Sequence, residues 1–269
     1  MKNLILNFKK SLLYFSNIFI FTFKAIFKDP SNINIIFKKL SNRISNKSVS
    51  NDYLMWLEKN CKNIDDFCKN IDKELWQESN LFLRELDGLS EKVDKSIIKK
   101  MGGGGCSELL YFIVRKLKLR NIVETGVSLG FSSTALLMAV EKNEFGKVFS
   151  SDFPYPGLKN SQDYIGLLVP SRLKDFWVLE VKGDKYNLPK IKHMVSNIDL
   201  LHYDSDKSYS GRDFALNIFK DKINESSIII FDDIHENTHF KDYIENNNLS
   251  GFEVFKYKNK FIGMIGNIH

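Results

Sequence analysis

From residue 121 onward, short apolar runs alternate with segments whose apolar positions recur every three or four residues. The short runs predict strands at 122–124, 147–151, 177–181, 198–203, 228–231, 252–256 and 261–265. The periodic segments between them predict helices at 132–141, 163–168, 188–195, 211–222 and 239–246. Strands that are apolar along their whole length need cover on both faces, so the alternation implies a mostly parallel sheet between helical layers. The last two strands are separated only by residues 257–260, too short a link for a crossover helix. They are therefore expected to pair as an antiparallel hairpin at one edge.

Upstream of the strands the period is helical throughout. Leu54, Leu57, Cys61, Ile64, Cys68, Ile71 and Leu75 make one apolar stripe, which predicts a helical segment over 51–101. Cys61 and Cys68 lie on that stripe, so core packing accounts for them. Gly102 to Gly105 then interrupt the pattern as a flexible break, and 107–117 predicts one more helix. The expected fold class is α/β: a Rossmann-like, mostly parallel seven-stranded sheet with an antiparallel C-terminal hairpin, plus N-terminal helices. Three segments follow from this: a basic apolar arm and linker (1–50), the helical segment (51–101) and the α/β domain (102–269).

Charge changes the picture only at the N-terminus. The chain of 269 residues carries a net +6, but residues 1–50 hold nine basic residues and one acid, Asp29. The remainder has 30 basic and 32 acidic residues, which argues against a nucleic-acid partner for the α/β domain. The uncharged run 12–23 is bracketed by Lys9, Lys10 and Lys24. It is shorter than the roughly 18–20 residues of a spanning helix, and no small-residue cleavage site follows it. A true membrane span is a minor reading of residues 1–40, beside two others. One is an interfacial helix making peripheral contact with membrane. The other is a helix packed on the protein's own body or on a second copy in a homo-oligomer. With three cysteines and no CxxC pair, a reduced cytoplasmic setting is expected, at the inner membrane face if the arm binds lipid.

Ligands of such sheets bind at the carboxyl ends of the strands, so the residues ending each strand carry the chemistry. The first strand runs into Glu124-Thr125-Gly126-Val127-Ser128-Leu129-Gly130-Phe131-Ser132-Ser133, with a helix directly after. Gly126 and Gly130 permit a tight turn and close approach of a ligand, and the helix start offers free amides. The spacing is GxxxG, not the GxGxxG of dinucleotide sites and not a Walker loop. The second strand ends at Asp152, placed to accept from ribose hydroxyls. The third leads into Gly183-Asp184, the fourth into Asp204-Ser205-Asp206-Lys207 and the fifth into Asp232-Asp233. Acids at four successive strand ends should converge on one crevice.

Together, "IVETGVSLGFSS", "VFSSDF", "VKGD", "IDLLHYDSDKSYSGRDF" and "SIIIFDDI" resemble class I methyltransferases that use S-adenosylmethionine (SAM). The subgroup most similar is that of the catechol-type and macrocin-type O-methyltransferases, over about residues 102–266. The resemblance implies that Glu124, Gly126 and Gly130 line the methionine side of SAM, that Asp152 holds the ribose and that Gly183 and Asp184 lie near the adenine. Ser128, Ser132 and Asp204 complete the expected cofactor contacts. It also implies that Asp204, Asp232 and Asp233 hold Mg²⁺ or Mn²⁺, which would lower the pKa of a hydroxyl on a small-molecule or sugar acceptor. Lys207, where many relatives have His, and His235 are the candidate catalytic groups. Strand five ends Asp-Asp where the catechol enzymes have Asp-Asn. Three carboxylates so close should repel one another and raise at least one pKa. The competing readings are an NAD(P)-dependent oxidoreductase on the same sheet and a membrane-tethered SAM-binding module without activity.

Overall fold

The structure, a computed structural model, describes residues 49–268 except 103, 156, 157 and 159. The arm at 1–40, with its membrane and self-association readings, lies outside the described residues. The chain order is α1 (Asn51–Asn60), β1 (Cys61–Lys62), α2 (Ile64–Ser90), α3 (Lys95–Met101), α4 (Ser107–Leu117), β2 (Asn121–Thr125), α5 (Phe131–Asn143) and β3 (Lys147–Ser151). Then follow β4 (Trp177–Glu180), α6 (Asp184–Met194), β5 (Leu200–Tyr203), α7 (Tyr209–Phe219), β6 (Ile228–Phe231), α8 (His239–Asn246), β7 (Phe252–Tyr257) and β8 (Lys260–Ile265).

The strands form one sheet in the order β1-β7-β8-β6-β5-β2-β3-β4. Strands β2 to β6 pair parallel, while β8 pairs antiparallel with both β6 and β7. The edge hairpin expected from the short 257–260 link is therefore present. It sits between β6 and β1, because β1 adds parallel to β7 and makes eight strands rather than seven. The helical segment expected over 51–101 is broken at that point. Asn63 caps α2 by accepting from the Asp66 amide, and the two residues before it pair with the backbone of β7. Within α2, Asp72 leaves helical geometry (φ −162°, ψ 95°) and its carboxylate accepts from the Leu75 amide, so the helix kinks and restarts.

Successive strand residues feed opposite cores. Ile122, Leu200, Ile228 and Ile230 pack with α2, α4 and α5 on one face, whereas Val123, Leu201, Ile229 and Phe231 pack with α1, α6, α7 and α8 on the other. Helices α1, α2 and α4 thus belong to the same two cores as the sheet, while Met101 of α3 packs in a third, smaller cluster with Leu129 and Leu168. The segment expected as helix at 163–168 is instead a 3-10 turn at Ser161–Tyr164, followed by a second at Ser171–Phe176. Gly166 at positive φ and Pro170 leave no room for a longer helix between them. Among the described residues, no helix is long and apolar enough to cross a membrane.

Cys68 is fully buried on the stripe as expected, whereas Cys61 is partly exposed in β1. Burial pushes the Cys68 thiol up to about 12 and raises that of the equally enclosed Cys106. We expect neither to react with iodoacetamide in the folded protein at neutral pH, and both to react after denaturation. Rapid native labelling of Cys68, read by mass spectrometry, would contradict this packing.

Candidate active site

The chain lays down β2, β3 and β4 in one direction and then returns to place β5 on the other side of β2. The strand order therefore switches between β2 and β5, and a crevice opens there at the carboxyl ends. A cleft of about 370 Å³ occupies this point, a size suited to a small-molecule ligand. Of the residues singled out in the sequence, Gly126, Ser128, Asp152, Gly183, Asp184, Asp204, Lys207 and Asp233 line it. Glu124, Gly130, Ser132, Asp232 and His235 do not belong to its lining.

The loop after β2 forms the floor. Gly126 has φ +84°, and a Cβ there would fall 2.4 Å from the Asp204 carbonyl oxygen, so only glycine lets the loop pass beneath the end of β5. Glu124 lies below this floor with no exposed surface. Its carboxylate accepts hydrogen bonds from the Ser132 and Ser133 hydroxyls, each at 2.6 Å, and from the Ser150 hydroxyl at 2.7 Å. These contacts tie β2 to α5 and β3. Glu124 and Ser132 hold each other and support the loop from below.

Asp152 fastens the same loop from the side. It accepts from the backbone amides of Val127 at 3.1 Å, Ser128 at 2.6 Å and Phe153 at 2.6 Å. Ser128 donates its hydroxyl to the Met101 carbonyl, which brings the end of α3 to the cleft rim. Asp184 accepts from Ser151 and Ser205, joining the ends of β3 and β5. Asn187 was not visible as a site residue. It is buried one turn into α6 and donates to Ser151 Oγ, the Asp152 carbonyl and the Glu180 carbonyl. Nothing in its spacing distinguishes it from an ordinary helix residue. We expect Asp152→Ala to weaken S-adenosylhomocysteine binding by about 1–3 kcal/mol, through lost acceptors and a loosened loop. Calorimetric titration reads this directly, and an unchanged affinity would contradict a role for Asp152 in the cleft.

Beside the cleft, one oxygen from each of Asp204, Asp232 and Asp233 lies within 4.8 Å of the others. This is the one cluster of metal-ligating type among the described residues. Two ammonium groups accompany it. Lys207 contacts Asp204 and lies 3.2 Å from Asp233 and 3.9 Å from Asp232. Lys260 lies 3.3 Å from Asp232 and 3.2 Å from Asp233. The raised acid pKa expected from crowding is not found at Asp232. Burial alone would raise it, but the Lys207 and Lys260 ammoniums outweigh burial and hold it below the usual carboxylate range. Lys207 is shifted down by burial despite its acidic neighbours.

The strand end carrying the acids is held from below by Arg212. Its guanidinium is fully buried and donates to the carbonyls of Asp232 at 3.0 Å and Asp233 at 2.9 Å. It also reaches Asn237, whose amide donates to the Lys207 carbonyl. His235 is not part of the cleft lining and accepts from the Phe261 amide on the hairpin. His202, inside β5, is packed 3.8 Å from Glu124, and the buried His239 pairs with Asp213.

The donor set suits a divalent cation. Three carboxylates converge, and Asp232 Oδ1 is buried without a hydrogen-bond partner, a state that costs free energy unless something cationic approaches it.

Residues 123–234 match a family described as "Methyltransferase domain". No curated protein sequence matches the chain. Among solved structures, a Staphylococcus aureus protein proposed to be a caffeoyl-CoA O-methyltransferase shares 12% identity and a TM-score of 0.51, over 70% of this chain and 100% of that one. The SAH-bound methyltransferase PaMTH1 of Podospora anserina shares 14% identity and a TM-score of 0.47, over 80% of this chain and 93% of that one. At these identities the first likeness speaks to the fold alone.

Proposed function

We propose that the chain is a SAM-dependent methyltransferase that transfers the methyl group to a hydroxyl oxygen with the help of a divalent metal ion. The observation that carries this reading is the carboxylate cluster beside the cleft. An amine acceptor is nucleophilic once neutral, but a hydroxyl must lose its proton to attack a sulfonium methyl, and it needs help to do so at neutral pH. Asp204, Asp232 and Asp233 would hold Mg²⁺ or Mn²⁺, which when bound supplies Lewis-acid polarisation of the hydroxyl. Lys207, the candidate catalytic group, adjoins the same acids and lies 3.2 Å from Asp233. Gly126, Ser128, Asp152, Gly183 and Asp184 would hold SAM along the cleft. The acceptor class is a small molecule or sugar. Turnover of SAM against panels of sugars and phenols, with and without Mg²⁺, tests the reading. Transfer only to amines would overturn it.

The arm carries the remaining proposal. Its charge and apolar run support peripheral binding to the anionic cytoplasmic face of a membrane, with self-association as the competing outcome. We expect the full chain, but not a form lacking residues 1–50, to co-sediment with anionic vesicles at low salt. If both stay in the supernatant, the arm is a packing or dimerisation element.

A further inference from the structure

Lys260 was not among the residues the sequence singled out, and its position comes entirely from the register of the C-terminal hairpin. It is the first residue of β8. Because β8 runs antiparallel to β6, with Phe231 opposite Gly263, the start of β8 falls at the carboxyl end of β6. That is the end where the parallel strands present their acids. The hairpin thereby delivers a second ammonium to the Asp232 and Asp233 carboxylates that Lys207 also approaches.

The charge balance then becomes restrictive. Three carboxylates and two ammoniums leave one net negative charge. Adding a divalent ion while both lysines stay would make the cluster net positive. One ammonium has to withdraw. Lys207 is 21% exposed in its side chain and its backbone carbonyl is held by Asn237. Lys260 is 39% exposed and projects from the strand that follows the hairpin turn, on a flexible stem that can turn to water. Asp232 Oδ1, buried and without a hydrogen-bond partner, leaves an acceptor that neither lysine satisfies.

We propose that Lys260 is a built-in counter-cation that holds Asp232 and Asp233 together in the metal-free protein and competes with the divalent ion for them. The proposal rests on the divalent-metal reading above. Its consequence is opposite in sign to that of removing a ligand: deleting the Lys260 charge strengthens metal binding and weakens the metal-free fold. The ion and the ammonium exchange places, so metal loading frees a cation at the cleft mouth.

The test uses the full chain and Mn²⁺ alone, with free Mn²⁺ followed by electron paramagnetic resonance. Lys260→Met is expected to tighten Mn²⁺ binding by about tenfold or more relative to the unaltered protein. Lys260→Gln, which keeps a donor but no charge, is expected to do the same. In chelator, both variants should melt below the unaltered protein, and saturating Mn²⁺ should remove that deficit, because the tighter ligand stabilises more. Unchanged or weaker Mn²⁺ binding in both variants overturns the proposal while leaving the metal reading intact. A Gln variant that behaves like the unaltered protein also overturns it, by assigning the effect to hydrogen bonding rather than charge. Absence of Mn²⁺ binding in all three proteins removes the metal reading and the proposal with it.

Discussion

Removal of divalent ions with EDTA is expected to abolish methyl transfer to a responsive hydroxyl acceptor, and added Mg²⁺ or Mn²⁺ to restore it. S-adenosylhomocysteine binding should persist, because the groups expected to hold it are Asp152, Asp184 and the loop after β2, while Asp204, Asp232 and Asp233 would hold the ion. Asp232→Asn keeps the shape of a carboxylate but removes a charge from the cluster. It should lower turnover by roughly 10²–10³-fold, the scale of losing one electrostatic element that acts on the transition state. The same variant should leave cofactor affinity within about twofold, since Asp232 is not part of the cleft lining. Full turnover after thorough chelation would contradict the metal reading and leave Lys207 to act on the acceptor alone.

The second large effect concerns Glu124. Three hydroxyls donate to this fully buried carboxylate, so Glu124→Ala strands Ser132, Ser133 and Ser150 without their acceptor and opens a cavity. We expect a loss of about 3 kcal/mol and a fall in Tm of roughly 5–10 °C. Cofactor affinity should fall as well, as a consequence of a loosened loop. Glu124→Gln retains one carbonyl acceptor and should cost less. Thermal melts with and without S-adenosylhomocysteine separate the two roles. An unaltered Tm combined with lost cofactor binding would make Glu124 a direct cofactor contact, as the family resemblance implies, and not a support beneath the loop.

The contrast between Glu124 and Asp152 shows how far the sequence reaches. Both end or nearly end a strand, and strand-end position alone assigns both to the ligand. The sheet separates them: Glu124 points into the layer between β2, β3 and α5, while Asp152 stands at the cleft wall. The serines that receive Glu124 are visible in the sequence, at 132, 133 and 150, but their convergence depends on how α5 packs back on β3. The parallel core was legible because strands buried on both faces are apolar throughout, as in Ile228–Phe231. The two-residue strand β1 was not, since its apolar spacing continues the helical stripe on either side. The acidic strand ends were legible as a convergent set. Their lysine partners were legible only in part, because Lys207 is three residues from Asp204 whereas Lys260 arrives through antiparallel register.

The most direct test of the account is a calorimetric titration of the full chain with S-adenosylhomocysteine and, separately, with NADH. The account predicts saturable binding of S-adenosylhomocysteine at one site per chain, weakened in Asp152→Ala, and no binding of NADH. Saturable binding of NADH with no heat from S-adenosylhomocysteine would contradict it.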